Sequence, residues 1–184
     1  MVDFAFALGM CALYNFRMKI TTKIGDEGMT NLLGGRRVSK SCTFVELIGQ
    51  LDELQSILGW CKVSVSEKST HEALEKIQED LYKMMCFFAN GSKYLGGVEF
   101  LGEADLRFLE EGIEGRQKSI ENLHGFVRPG NTEVEARMGI ARTVCRRVER
   151  EFVRASEETP EIVTKYLNRL SDFLFVLGQE AEIC

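Results

Sequence analysis

The chain reads as all-α: an antiparallel bundle of five helices preceded by a glycine-bearing polar loop. Three observations predict this. From Phe44 onward, apolar residues recur at the three-and-four spacing of a single helix face. Leu, Glu, Lys and Arg are plentiful and only two prolines occur in 184 residues, a composition that favours helices. The helical stretches are also long and their connections short, as in antiparallel bundles.

The first helix is predicted from Phe44 to Val65, with Phe44, Leu47, Leu51, Leu54 and Leu58 on one stripe. The second opens on Ser69 and Glu72, spaced as a capping box. It continues through Leu74, Ile77, Leu81, Met84 and Phe88 and ends near Gly91. The third spans Glu103 to Leu123, with Leu106, Leu109, Ile113 and Ile120 on its stripe; Gly112 and Gly115 weaken it by roughly 1 kcal/mol each. The fourth starts from a second capping box, Thr132 with Glu135, and runs to Ala155. The fifth opens with Thr159 as N-cap and Pro160 at the first helical position, and carries Ile162, Tyr166, Leu170, Phe173 and Leu177. Ile20 to Cys42 has glycines, polar residues and no sustained period. It reads as an ordered loop with a short strand at Lys19 to Thr22, and a loop of that length is usually functional or disordered.

Composition narrows the function. The net charge of −5 argues against a broad nucleic-acid surface, which needs a basic face. Phe4 to Phe16 is mostly apolar but too short to span a membrane, and Asp3 stands where a secretory leader is basic. Residues 1–17 are therefore read as an extension: either a strand or loop over an exposed patch, or a start placed ahead of Met18. Residues 18–184 form one domain. The six cysteines, Cys11, Cys42, Cys61, Cys86, Cys145 and Cys184, include no CxxC pair and read as reduced thiols of a cytoplasmic protein. His71 and His124 read as surface residues, and two histidines are few for a metal centre.

Arg142, Arg146, Arg147 and Arg150 fall within nine residues of the fourth helix of an acidic chain. A guanidinium matches phosphate oxygens, and like charges at helical spacing repel, so an anion is the expected partner. On a wheel of 100° per residue, Val134, Met138, Ala141, Cys145, Val148 and Phe152 share one arc. Arg142 and Glu149 border it, Arg146 and Arg150 lie further round, and Arg147 points away from the core. The competing reading is a solvated face with ion pairs such as Arg146 with Glu149. Upstream, Gly25 and Gly28 let backbone amides turn toward an anion, Lys23 adds charge, and Thr22 and Thr30 add hydroxyls. Asp26 would hold Mg²⁺ through water. Taken alone, this loop reads equally as a plain glycine turn.

Five ordered segments resemble the ATP:cob(I)alamin adenosyltransferases of the propanediol-utilisation type. They are Lys19-Ile-Thr-Thr-Lys-Ile-Gly-Asp-Glu-Gly-Met-Thr-Asn-Leu-Leu-Gly-Gly-Arg-Arg-Val-Ser-Lys40, Gly49-Gln-Leu-Asp-Glu-Leu-Gln-Ser56, Phe126-Val-Arg-Pro-Gly130, Ala141-Arg-Thr-Val-Cys-Arg-Arg-Val-Glu-Arg150 and Tyr166-Leu-Asn-Arg-Leu-Ser-Asp-Phe-Leu-Phe175. The resemblance implies a ferritin-like, homotrimeric five-helix bundle with active sites between subunits. It implies transfer of the 5′-deoxyadenosyl group of ATP to the cobalt of a reduced corrinoid, cob(I)alamin, with release of triphosphate. Mg²⁺ would accompany the ATP, and a flavin-type reductase would supply the electron.

The resemblance also implies site roles. Thr22, Lys23, Gly25, Thr30, Asn31 and Lys40 line the triphosphate site, joined by Arg146 and Glu149, with Arg147 and Arg150 as further candidates. Asn168 contacts the nucleotide, Arg142 pairs with Asp52 across the subunit boundary, and Phe126 sits at the corrinoid face, excluding the lower axial ligand. Arg146, Asp52, Arg142 and Phe126 form the expected catalytic set. Arg128, Asn131 and Ser41-Cys42-Thr43 depart from the family's pattern. A non-catalytic bundle that holds ATP or adenosylcobalamin for delivery is the alternative.

Overall fold

A computed structural model describes residues 23, 25–93, 99–120, 127–155, 157 and 159–183. The apolar stripes become five helices: α1 (Thr43–Lys62), α2 (Lys68–Ala89), α3 (Glu103–Gln117), α4 (Glu133–Arg154) and α5 (Glu161–Ile183). The longest interface lies between α4 and α5; α1 packs on both α2 and α4, and α3 packs on α5. The core is built from the stripe residues. Leu47, Leu51, Leu54 and Leu58 of α1 face Leu74, Ile77, Leu81 and Phe88 of α2, and Met138, Ala141, Cys145, Val148 and Phe152 close the α4 side. Burying a side chain of Leu or Phe size contributes about 1.5–3 kcal/mol, so these stripes carry the bundle. Among the described residues, no helix is long and apolar enough to cross a membrane.

The helix ends differ from the sequence expectations in instructive ways. Ser69 and Glu72 form no capping box. The N-cap lies two residues earlier, at Glu67, and the hydroxyls of Ser69 and Thr70 both donate to the Glu67 carboxylate. These bonds hold the Glu67 carboxyl below the usual range. At α4, Thr132 Oγ1 does accept from the Glu135 amide at 3.1 Å. The Glu135 carboxylate, however, reaches past the cap to the amides of Gly130 and Asn131, fastening the preceding loop to the helix. Thr159 does not cap α5. Its hydroxyl donates backward to the Ala155 carbonyl at 2.9 Å, satisfying the end of α4. The third helix stops at Gln117 and tightens into a 3-10 turn over Lys118–Ile120.

The segment read as an open loop is a β-hairpin. β1 (Met29–Asn31) pairs antiparallel with β2 (Arg37–Ser39), with Thr30 opposite Val38 and Asn31 opposite Arg37. Leu32, in the connection, is 2% exposed and plugs the hairpin into the core. The strand expected at Lys19 to Thr22, the extension over 1–17, His124 and Phe126 lie outside the described residues.

A buried ionic cluster pins α2 to α3 and α5. Asp80 is fully buried and accepts from Lys76 Nζ, from Lys83 Nζ at 2.9 Å and from the Tyr166 hydroxyl at 2.9 Å. Lys76 also donates to Asp105 at 2.7 Å, and Asp105 accepts from the Gly102 amide at the start of α3. A buried carboxylate is tolerated only when its oxygens are satisfied in this way.

Candidate functional site

Helix α4 divides its arginines between two sides. Arg137 and Arg147 turn toward α1. Arg137 donates to the Trp60 carbonyl at 2.6 Å and stacks on the indole at 4.7 Å, while Arg147 pairs with Glu53. Arg147 therefore does not point away into solvent as the wheel suggested; it bridges two helices. Arg146 and Arg150 stand exposed on the other side, and Arg150 donates to the Arg146 carbonyl at 3.1 Å. The ion pair between Arg146 and Glu149 does not form. Glu149 instead accepts from Asn168 Nδ2 on α5 at 3.1 Å. Asn168 Oδ1 in turn accepts from Arg169 at 2.7 Å, and Arg169 donates to Glu110 of α3 at 3.1 Å. The result is a hydrogen-bonded chain across α4, α5 and α3, beside an Arg146 guanidinium that has no partner among the described residues.

This patch forms because α4 and α5 share one seam. Cys145, between Arg142 and Arg146 on the helix, is fully buried, and its thiol donates to the Leu167 carbonyl, one residue before Asn168. Burial pushes the Cys145 thiol well up, the Glu149 charge adds to this and Arg146 opposes it. Cys145 is thus a packing residue rather than a nucleophile.

The hairpin is stiff. Lys40 Nζ donates to the Gly25 carbonyl at 2.7 Å, and a Cβ on Gly25 would meet that nitrogen at 2.8 Å. Gly28 has φ +75° in the same turn, a conformation that glycine adopts without strain. The Asp26 and Gly28 amides are spent on the carbonyls of Lys23 and Gly25. Lys23 is exposed, with φ +61°. Asp26 is exposed on the turn. Thr30 and Asn31 are fixed in β1.

The two halves are not joined within the chain. No hydrogen bond or ion pair links the hairpin to Arg142, Arg146, Arg147 or Arg150 among the described residues. Asp52 is exposed on α1 and makes no ion pair with Arg142 in the chain. A cleft of about 330 Å³ lies between the start of α1 (Thr43, Glu46), with Ser41 just before it, and the end of α4 (Glu151, Arg154), and none of the expected site residues lines it. A smaller cleft of about 110 Å³ contains Arg142 together with Pro129, Glu135, Phe175 and Gln179. Thr22 and Phe126 lie outside the described residues.

Sequence reading missed three contributors. Arg169 orients Asn168. Glu135 holds the loop before α4; its place in a capping box was the available signal. Gln179 gives no signal in sequence, because a lone glutamine on an apolar stripe has no pattern.

Residues 20–181 match the family model for cobalamin adenosyltransferase. The chain is 34% identical to the corrinoid adenosyltransferase PduO of Salmonella typhimurium over 165 residues, covering 88% of this chain and 49% of that protein. It is also 34% identical to a corrinoid adenosyltransferase of Citrobacter freundii, covering 89% of this chain and 95% of the relative. With the human corrinoid adenosyltransferase MMAB it shares 32% identity, covering 89% and 68%. The chain thus spans about half the length of the PduO relatives it matches. A solved variant of the PduO-type ATP:corrinoid adenosyltransferase from Lactobacillus reuteri, complexed with cobalamin and ATP, superposes with a TM-score of 0.80 at 29% identity, covering 90% of this chain and 94% of that one. A second variant of that enzyme, complexed with ATP, gives 0.79.

Proposed function

This chain belongs to the cobalamin adenosyltransferase family, and from that membership we propose that it transfers the 5′-deoxyadenosyl group of ATP to the cobalt of cob(I)alamin, releasing triphosphate. One observation carries the reading. The residues assigned to the nucleotide include ones left unspent or pre-ordered: the Arg146 guanidinium is exposed with no partner among the described residues, and Glu149 and Asn168 are held by each other and by Arg169.

The chemistry asks little of the protein in proton transfer, because cobalt(I) is itself the nucleophile. Attack on C5′ forms the cobalt–carbon bond and expels triphosphate with the bonding pair. The protein must align C5′ with cobalt and stabilise charge growing on the leaving group. In this reading Arg146 and Lys23 meet the triphosphate, with Arg150 beside them, Gly25, Thr30, Asn31 and Lys40 in and next to the hairpin, and Thr22 as a further ligand. Asp26, exposed on its turn, reaches a water of the Mg²⁺ that the triphosphate carries. Arg147 serves indirectly, through its pair with Glu53. Phe126 covers the lower face of the corrinoid.

Because no hydrogen bond or ion pair joins the hairpin to these arginines among the described residues, the proposal takes the assembly as a homotrimer in which the hairpin of one subunit serves α4 of the next. Asp52 of one copy then pairs with Arg142 of its neighbour. A flavin-type reductase supplies the electron, and the setting is the cytoplasm. The test is anaerobic: ATP, Mg²⁺ and chemically reduced cobalamin are mixed with the protein, and the spectrum of the cobalt–carbon product is followed. Product at catalytic turnover supports the proposal. ATP binding without product would identify a carrier instead.

A further inference from the structure

The cleft of about 110 Å³ beside Arg142 is too small for a macrocycle, since sites for whole organic ligands usually run to about 300–1,000 Å³. It is nonetheless built to receive something polar. Gln179 on α5 is 3% exposed, and its Oε1 has no hydrogen-bond partner among the described residues. Leaving a buried acceptor unpaired is costly, so such a group signals a missing partner. The neighbouring Glu135 is not that partner: it is an acceptor itself, and its Oε2 is engaged by the Gly130 and Asn131 amides. The floor is rigid, because Gly178 brings α5 so close to α4 that a Cβ there would meet Met138 Cβ at 3.1 Å. Arg142 lines the same cleft, half-buried; its guanidinium carries five N–H donors, so a donor remains for a ligand when Asp52 of a neighbouring copy takes others. Pro129 and Phe175 supply apolar walls.

An unpaired acceptor and a guanidinium donor lining one cleft are together the complement of a primary amide. The amide N–H donates to Gln179 Oε1, and its carbonyl accepts from Arg142. The corrin ring is edged with acetamide and propionamide arms. We propose that this cleft holds one such arm of the corrinoid, with Gln179 as a specificity-determining residue that fixes the rotational setting of the ring. The inference rests on the adenosyltransferase reading and adds to it a subsite for the ring's periphery.

The test uses the full chain with ATP and a series of cobalamins in which one arm at a time carries an N,N-dimethylamide, which keeps the carbonyl but has no N–H and more bulk. In the unmodified protein, one member of the series should show KM raised about tenfold or more, the others little change. Gln179→Ala should raise KM for cobalamin itself about tenfold, leave KM for ATP unchanged and erase the penalty of that one derivative. Equal KM across the series in the unmodified protein overturns the inference while product formation upholds the adenosyltransferase reading, and this arm needs no variant to fold. Absence of product with every corrinoid removes both.

Discussion

Asn168 of α5 donates to Glu149 of α4 at 3.1 Å, and this bond orders a polar patch beside the apolar α4–α5 seam. It also decides what Glu149 does not do. A carboxylate spent on Asn168 does not neutralise Arg146, so the guanidinium keeps its charge for an anion.

Replacing Asn168 by Ala is expected to free Glu149 and to remove the acceptor of Arg169. ATP KM should rise about tenfold, with a stability cost of up to about 1.5–3 kcal/mol for each bond to a charged group lost. Steady-state kinetics and a denaturant titration check both. An unchanged ATP KM would take Asn168 out of the nucleotide site.

Asp52 is exposed with no ion-pair partner among the described residues. If it meets Arg142 of a neighbouring copy, Asp52→Asn weakens subunit association or ATP affinity, since one partner of a partly buried pair is left uncompensated. Sedimentation velocity and calorimetry with Mg-ATP read the two effects. Wild-type values in both would contradict the pair.

The two glycines of α3 should behave oppositely. A Cβ on Gly112 would meet Phe173 Cε2 at 2.6 Å, whereas one on Gly115 meets nothing within 4 Å. Phe173 is 1% exposed and has little room to yield. Gly112→Ala should therefore destabilise by about 1–3 kcal/mol. Gly115→Ala should stabilise by about 0.5–1 kcal/mol. Thermal or urea unfolding of the two variants, measured side by side, checks the sign.

Burial pushes the Asp105 carboxyl up, but hydrogen bonds from Lys76 and the Gly102 amide, with the charges of Lys76 and Lys83, outweigh it and hold it below its ordinary 3.8. A carboxyl lowered on folding contributes stability above its unfolded pKa and loses it as pH falls through the folded one. Asp105→Asn should therefore cost stability at neutral pH and progressively less below about pH 4, so the two acid-unfolding curves converge. A constant gap across that window would mean that the network is held by packing alone.

The stripe of α4 was legible because Met138, Ala141, Cys145, Val148 and Phe152 repeat at one angular position and all are buried. The hairpin was not: three-residue strands are too short to show a period, and Leu32, its anchor, looks in sequence like any loop leucine. Lys76, Asp80 and Lys83 have the spacing of ordinary surface ion pairs, and only Asp105 and Tyr166, brought from two other helices, make Asp80 a buried hub. Arg147 was misjudged for a similar reason. A helix wheel gives direction but not neighbours, and Glu53 lies on α1. The arginines themselves were legible from their like charge, and their proposed phosphate partner only from motifs spread along the whole chain.

The central claim is that Lys23 of one subunit and Arg146 of its neighbour grip the same triphosphate, and active-site complementation tests it most directly. Lys23→Ala and Arg146→Ala, each alone, should cut turnover at least about tenfold. Co-expressed as mixed trimers, they should regain activity well above either parent, because some interfaces then combine an intact Lys23 with an intact Arg146. Mixed assemblies no more active than the single variants would contradict the account.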